Sequence, residues 1–211
     1  MRKPGGVTPQ EELGGLITRS AEEELEHCVR RAMAILGLDL NDPDYAKTPK
    51  RVAKFWIEYN QPVKLEDVLS AQFDLNNGEE TLDSGTRSMV IQRDIPFSGL
   101  CPHHLLPFFG KAAIAYVPRG KVVGLSKLTR LVRAAGRLRP MTQERITDLI
   151  ADTLYKTLDC IGVAVVIEAV HTCMAVRGVL APEVTTTTSA VRGVFRDVPA
   201  AREEFLKLIR K

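Results

Sequence analysis

The chain has 211 residues, 45% of them hydrophobic and 26% charged, with a formal net charge of +3. That is enough apolar material for one domain with a buried core, or one domain with a helical appendage, and too much for a disordered tail. No apolar run approaches the roughly 18 to 20 residues that span a bilayer, and four cysteines are too few for a disulfide framework. The opening MRKPGGVTPQEELGG carries two early cations with no apolar stretch behind them, unlike a secretory signal. The expectation is a cytoplasmic protein with reduced thiols and no membrane partner.

Charge is unevenly spread. Residues 1–86 carry 10 Lys+Arg against 16 Asp+Glu, whereas residues 87–211 carry 19 against 10. A cationic second part is either a solvated basic face or a sign of an anionic partner, nucleic acid or a phosphorylated small molecule. There is no run of five or six cations and aromatics are only 6%, so nucleic acid is not expected.

In chain order, residues 1–18 are rich in Gly, Pro and Glu and read as a mobile arm. From Ala21 to about Leu36, apolar residues at Leu25, Cys28, Val29, Ala32 and Leu36 follow helical spacing, Ser20 and Glu23 supply a capping box, and Gly37 is a stop. A second helix opens at Thr48-Pro49 and runs through Val52, Phe55, Trp56 and Tyr59. The polar stretch from Asn76 to Gly85 marks the domain boundary, dividing an arm and helical region (1–86) from a second domain (87–211). Strands are expected at Ser88–Arg93 and Lys111–Val117. Helices follow at Ser126–Ala135 and, after Pro140, through Ile146, Leu149, Ile150, Leu154 and Leu158. Gly162–Thr172 reads as a strand with Val163, Val165, Ile167, Ala169 and His171 on one face; Thr185–Phe195 is another, and Ala200–Ile209 a closing helix. This pattern predicts an α+β fold, an antiparallel sheet with helices on one face.

Three of the four histidines and two of the four cysteines fall in two short segments, Cys101-Pro102-His103-His104 and His171-Thr172-Cys173. A turn at Pro102 lets Cys101 and His104 share one ion, with Cys173 a distant third ligand. Two sulfurs and one nitrogen suit Zn²⁺ and leave a fourth position open for water, whose pKa the metal lowers toward roughly 7. His103 and His171 remain beside the ligands as free imidazoles, natural proton carriers near neutral pH. A structural metal, or plain packing of two thiols and a core histidine, stays open on spacing alone.

The other polar clusters are weaker taken singly. Ser126, Lys127 and Arg130 sit at a helix start and make a phosphate cradle, and Arg177 adds a cation four residues past Cys173. Glu144, next to Gln143, lies off the apolar stripe of its helix and can accept hydrogen bonds from an amidine-like base edge. Each of these is equally a solvated helix end. Thr185–Thr188 is most simply a β-propensity run with two exposed threonines.

Taken together, these segments resemble the GTP cyclohydrolase I family from about Ala21 to Arg210. The likeness rests on Thr48–Lys54, Arg93-Asp94-Ile95, the Cys-x-His-His segment, Gly124–Lys127, Arg139-Pro140 with Gln143-Glu144-Arg145, Val170–Cys173, Arg177-Gly178 and Thr185–Ser189. It implies a tunnelling fold (T-fold), in which sheets of several subunits close into a barrel, commonly a toroidal homodecamer with the site between subunits. It also implies zinc on Cys101, His104 and Cys173, guanine held by Glu144 with Gln143 nearby, and triphosphate held by Arg51, Lys127, Arg130 and Arg177. His103 and His171 would shuttle protons and Ser126 assist at the ribose. The implied reaction is opening of the GTP imidazole ring, loss of formate and rearrangement of the ribose to 7,8-dihydroneopterin triphosphate.

Two positions depart from the usual family pattern. Pro102 stands where Glu is usual between the cysteine and the first histidine, and Gly99 stands where Ser is usual, beside Ser98. With a water replacing the carboxylate, the full reaction is retained. The alternative is a divergent paralogue that stops at a ring-opened intermediate or takes another purine nucleoside triphosphate. A non-catalytic nucleotide-binding homologue is the third reading, against which two spare imidazoles argue.

Overall fold

A computed structural model describes residues 20–74 and 88–210. The expected arm at 1–18 and the polar stretch from Asn76 to Gly85 lie outside the described residues. Two compact units divide the chain, Met1–Glu58 and Tyr59–Lys211. The division falls earlier than the composition change near residue 86, because Leu65 and Leu69 are already buried in the core cluster of the second unit.

The first unit contains α1 (Ala21–Ile35) and α2 (Thr48–Glu58). The Glu23 amide donates to Ser20 Oγ at 3.3 Å and the Ser20 amide donates back to Glu23 Oε2 at 2.8 Å, so the capping box forms as expected. At the other end Gly37 takes φ 76°, its N–H donating to Ala34 O and that of Leu38 to Met33 O. These are the two bonds of a Schellman close, which needs the left-handed conformation glycine tolerates.

The second unit runs α3 (Leu65–Val68), β1 (Gln72–Asp74), β2 (Val90–Leu100), β3 (Pro107–Val117), β4 (Lys121–Val123), α4 (Leu125–Arg137) and α5 (Gln143–Leu158). It continues with β5 (Gly162–His171), α6 (Thr172–Ala175), β6 (Thr185–Gly193), α7 (Val194–Asp197) and α8 (Pro199–Ile209). The four long strands form one antiparallel sheet in the order β2-β3-β5-β6, and β1 pairs with β4 in a small second sheet. The α+β class and the antiparallel pairing are as expected.

One sheet face buries Ile95, Phe97, Ile114, Tyr116, Val163, Val165 and Ile167 with Leu128, Leu131 and Val132 of α4 and Ile146, Ile150 and Leu154 of α5. Burying a side chain of this size contributes about 1.5–3 kcal/mol. Helices on one face only is corrected, however. The alternate residues Ala113, Ala115, Ala164 and Val166 are buried too, beneath Phe195 of α7 and Phe205 of α8. The physical reason is that β5 is apolar at both parities, so both of its faces need cover.

Strand limits also differ. The strand expected at Ser88–Arg93 extends to Leu100, past a register shift between Gln92 and Ile95 where Asp94 takes φ 57°. Pro96 is tolerated because β2 is an edge strand. Its partner β3 starts at Pro107 rather than Lys111, so the β2–β3 hairpin closes at Leu100↔Pro107 around the segment 101–106. Among the described residues no helix is long and apolar enough to cross a membrane.

Candidate metal centre

Segment 101–106 is a tight loop at the hairpin tip. The Cys101 amide donates to Leu106 O at 2.9 Å, and the Leu105 amide donates to Cys101 O at 2.9 Å, with Leu105 at φ 52°. Pro102 suits this loop, since its ring disfavours a helical Cys101 and its missing N–H leaves no donor unmet. The loop buries the Cys101 side chain and leaves His103 and His104 exposed. Cys101 Sγ lies 3.7 Å from Nδ1 of each histidine.

Cys173 comes from the neighbouring strand. Pairing of Phe108 with His171 brings the end of β5 beside the loop, and the Thr172 hydroxyl donates to Pro107 O at 2.6 Å. The strand stops at His171, and Cys173 sits in the single turn of α6 that follows it. The donor atoms of Cys101, His104 and Cys173 all lie within 4.8 Å of one another. Burial, then the hydrogen bond and charge of Cys101, push the Cys173 thiol up; Arg177 works weakly against them. A divalent cation inverts that balance and favours thiolates.

His171 is held from two sides. Its imidazole stacks on Phe108 with ring centroids 4.4 Å apart and planes 4° from parallel. Its Nε2 lies 2.8 Å from Oε1 of Gln143, the first residue of α5. The Met141 amide donates to Leu100 O at 3.1 Å, and Thr142 Oγ1 accepts from the Arg145 amide, which brings the start of α5 to the hairpin tip. Burial pushes the His171 imidazole below its ordinary value, and the Glu144 carboxylate opposes this.

Gln143 lies buried at the first position of α5, beside Glu144. It is 1% exposed, and its amide is committed to His171, Ile167 O, Thr186 O and Thr188 Oγ1. Glu144 is exposed and close enough to His171 to act on it electrostatically. Ser126 and Lys127 lie in the first turn of α4 after Gly124, with Arg130 exposed one turn on. Among the described residues Lys127, Arg130 and Arg177 form no salt bridge, and so remain available to an anion. Arg51 belongs to α2 of the first unit and is exposed.

Sequence reading missed Phe108, Thr147, Thr172 and Thr188. Phe108 carried a signal in its place at the start of an apolar strand. The threonines carried none beyond strand and helix parity.

The chain matches the family model described as GTP cyclohydrolase I over residues 25–210. It is 47% identical over 189 residues to GTP cyclohydrolase 1 of Aquifex aeolicus (strain VF5), covering 90% of this chain and 97% of that protein. It is 46% identical over 191 residues to GTP cyclohydrolase 1 of Bacillus subtilis (strain 168), covering 90% and 96%.

Proposed function

Since the chain belongs to the GTP cyclohydrolase I family, we propose that it opens the imidazole ring of GTP by hydrolysis, releases formate and rearranges the ribose to give 7,8-dihydroneopterin triphosphate. The observation that carries this reading is the convergence of Cys101, His104 and Cys173 next to His103 and His171.

The donor set fits zinc. Bond lengths of about 2.3 Å to sulfur and 2.1 Å to nitrogen give a tetrahedral edge of about 3.6 Å, and Cys101 Sγ lies 3.7 Å from His104 Nδ1. Bound there with a fourth position open, zinc supplies activation of water at neutral pH. Around it, His103 and His171 carry protons and Ser126 orients the ribose. Glu144 accepts hydrogen bonds from the guanine edge, and Lys127, Arg130, Arg177 and Arg51 hold the triphosphate. Gln143 acts on the substrate only through His171, because its own amide is committed within the protein.

The proposal extends to quaternary structure. In this reading the chain forms the homo-oligomeric barrel of the T-fold, a toroidal decamer, and it offers two long edges, β2 and β6, for joining sheets between subunits. Such edges otherwise invite unspecific pairing. Free thiols at Cys28, Cys101, Cys160 and Cys173 suit a reducing, cytoplasmic compartment.

The test is turnover of GTP by the zinc-loaded protein, with products separated by chromatography and identified by mass. Dihydroneopterin triphosphate with formate is the expected result. A ring-opened formamide or triamino compound would mean that the variation at Pro102 and Gly99 halts the sequence early. Untouched GTP would overturn the proposal.

A further inference from the structure

We propose that Phe108 and Gln143 are positioning residues that lock His171 in one orientation and one tautomer, with hydrogen on Nε2, so that the ring presents Nδ1 to the site as its acceptor. The inference rests on the reading of His171 as a proton carrier, and it names the nitrogen that does the work.

Gln143 Nε2 lies 3.0 Å from two backbone carbonyl oxygens, Ile167 O and Thr186 O. Carbonyl oxygens only accept, so this end of the amide is the NH₂ group and the opposite end, facing His171, is the oxygen. An amide oxygen only accepts, so His171 Nε2 must carry hydrogen to make the 2.8 Å contact.

The surrounding hydroxyls prevent a flip. The Thr147 hydroxyl donates to Gln143 O at 2.8 Å. Its one hydrogen is thereby placed, so in the 2.7 Å contact between Thr147 Oγ1 and Thr188 Oγ1 the donor is Thr188. Thr188 then has no hydrogen left for Gln143 and accepts from Nε2 at 3.1 Å. The two hydroxyl hydrogens each have one place, and the two hydrogens of Gln143 Nε2 are shared among three acceptors, Ile167 O, Thr186 O and Thr188 Oγ1. With Nε2–H fixed, a neutral imidazole leaves Nδ1 as its lone-pair nitrogen, and Nδ1 makes no hydrogen bond among the described residues.

Phe108 fixes the plane. It is fully buried and stacks parallel on the imidazole at 4.4 Å, while Phe97 packs obliquely behind it at 5.6 Å. A ring held between an aromatic face and a hydrogen bond at its edge cannot turn about its long axis without losing both.

The experiment uses the full-length, zinc-loaded protein labelled with ¹⁵N-histidine, read at about pH 8, above the ordinary imidazole range. The His171 ring nitrogens are assigned by their loss in His171→Asn. The expected spectrum shows a single Nε2–H tautomer for His171. Gln143→Leu should convert it to a mixture of both tautomers. Phe108→Leu should keep the Nε2–H tautomer, abolish the ring-current shift, and lower kcat about 10- to 100-fold with KM for GTP within about twofold. An Nδ1–H tautomer or an even mixture in the unsubstituted protein would overturn the proposal, as would an unchanged tautomer in a folded Gln143→Leu. Because the unsubstituted spectrum decides the tautomer alone, a variant that fails to fold does not remove the test. The spectrum is also independent of turnover, so an inactive protein with the expected tautomer would count against the GTP reaction and not against the lock.

Discussion

Gly99 and Phe108 face each other across the β2–β3 ladder, and the Phe108 ring lies over the glycine so closely that a Cβ at residue 99 would sit 2.5 Å from Cζ. An aromatic ring covering a glycine on the neighbouring strand replaces the side-chain packing that glycine lacks. Here it also sets the ring that stacks on His171. Gly99→Ser, the residue usual at this place in the family the sequence resembles, should therefore displace a fully buried phenylalanine. The expected cost is about 1–3 kcal/mol in urea unfolding, together with slower turnover. Unchanged stability would mean that the Phe108 ring has room to move.

The three converging donors should act as a unit in metal binding. Cys101→Ser, Cys173→Ser and His104→Ala are each expected to purify with little zinc, and to lose at least about a hundredfold in turnover because hydrolysis then lacks its activated water. Metal content by mass spectrometry on the purified variants checks the first part. Stoichiometric tight zinc in any one of them removes that residue from the ligand set. Chelation of the intact protein should abolish activity, and added zinc should restore it.

His103 and His171 are expected to matter for chemistry and not for holding substrate. His103→Ala and His171→Ala should bind GTP, as read by equilibrium dialysis, yet form no pterin. General acid–base groups typically contribute about 10²–10⁴-fold. Normal turnover by His171→Ala would sink its role as a proton carrier.

The free cations should be felt as salt dependence. Lys127→Ala, Arg130→Ala and Arg177→Ala should each raise KM for GTP more than they lower kcat. The effect should shrink as salt rises, because the Debye length falls from about 10 Å at 0.1 M to about 3 Å at 1 M. A KM that ignores both salt and substitution would assign these residues to a solvated face.

Cys160 supplies a pH prediction away from the site. Burial, with a smaller contribution from the Asp159 charge, pushes its thiol up to about 11. In the unfolded chain the thiol ionises near 8.5, so between these values the unfolded state holds fewer protons than the folded one. Stability is intact below about pH 8.5 and falls as pH rises through that window, by up to about 1.4 kcal/mol per unit. The stability difference between the unsubstituted protein and Cys160→Ala should shrink by about 1–2 kcal/mol from about pH 7.5 to about pH 10. A constant difference across that range would count against the buried thiol as its cause.

Much of the fold is legible in short stretches of sequence. The capping box at Ser20 and Glu23, the stop at Gly37, the apolar stripes of α4 and α5 and the alternation along β5 are set by residues within a few positions of one another. Such local patterns are enough to specify a helix or a strand. They were silent where two distant segments decide the outcome: the extension of β2 through Asp94 and Pro96 depends on pairing with β3, and the cover on the second sheet face depends on where α8 folds back.

The candidate site divides along the same line. Cys101, His103, His104, His171 and Cys173 are conspicuous in the sequence because metal and proton chemistry demand those residue types, and their clustering survives without knowledge of the fold. Gln143 looked like a companion of Glu144 on an exposed helix start; the folded chain buries it instead. Its partner His171 lies 28 residues away and Thr188 lies 45 away. Which groups meet a buried amide is determined by the order of strands in the sheet and the helix laid across them. Nothing in the local sequence encodes that order, because the contacts that set it are made between segments that become neighbours only on folding.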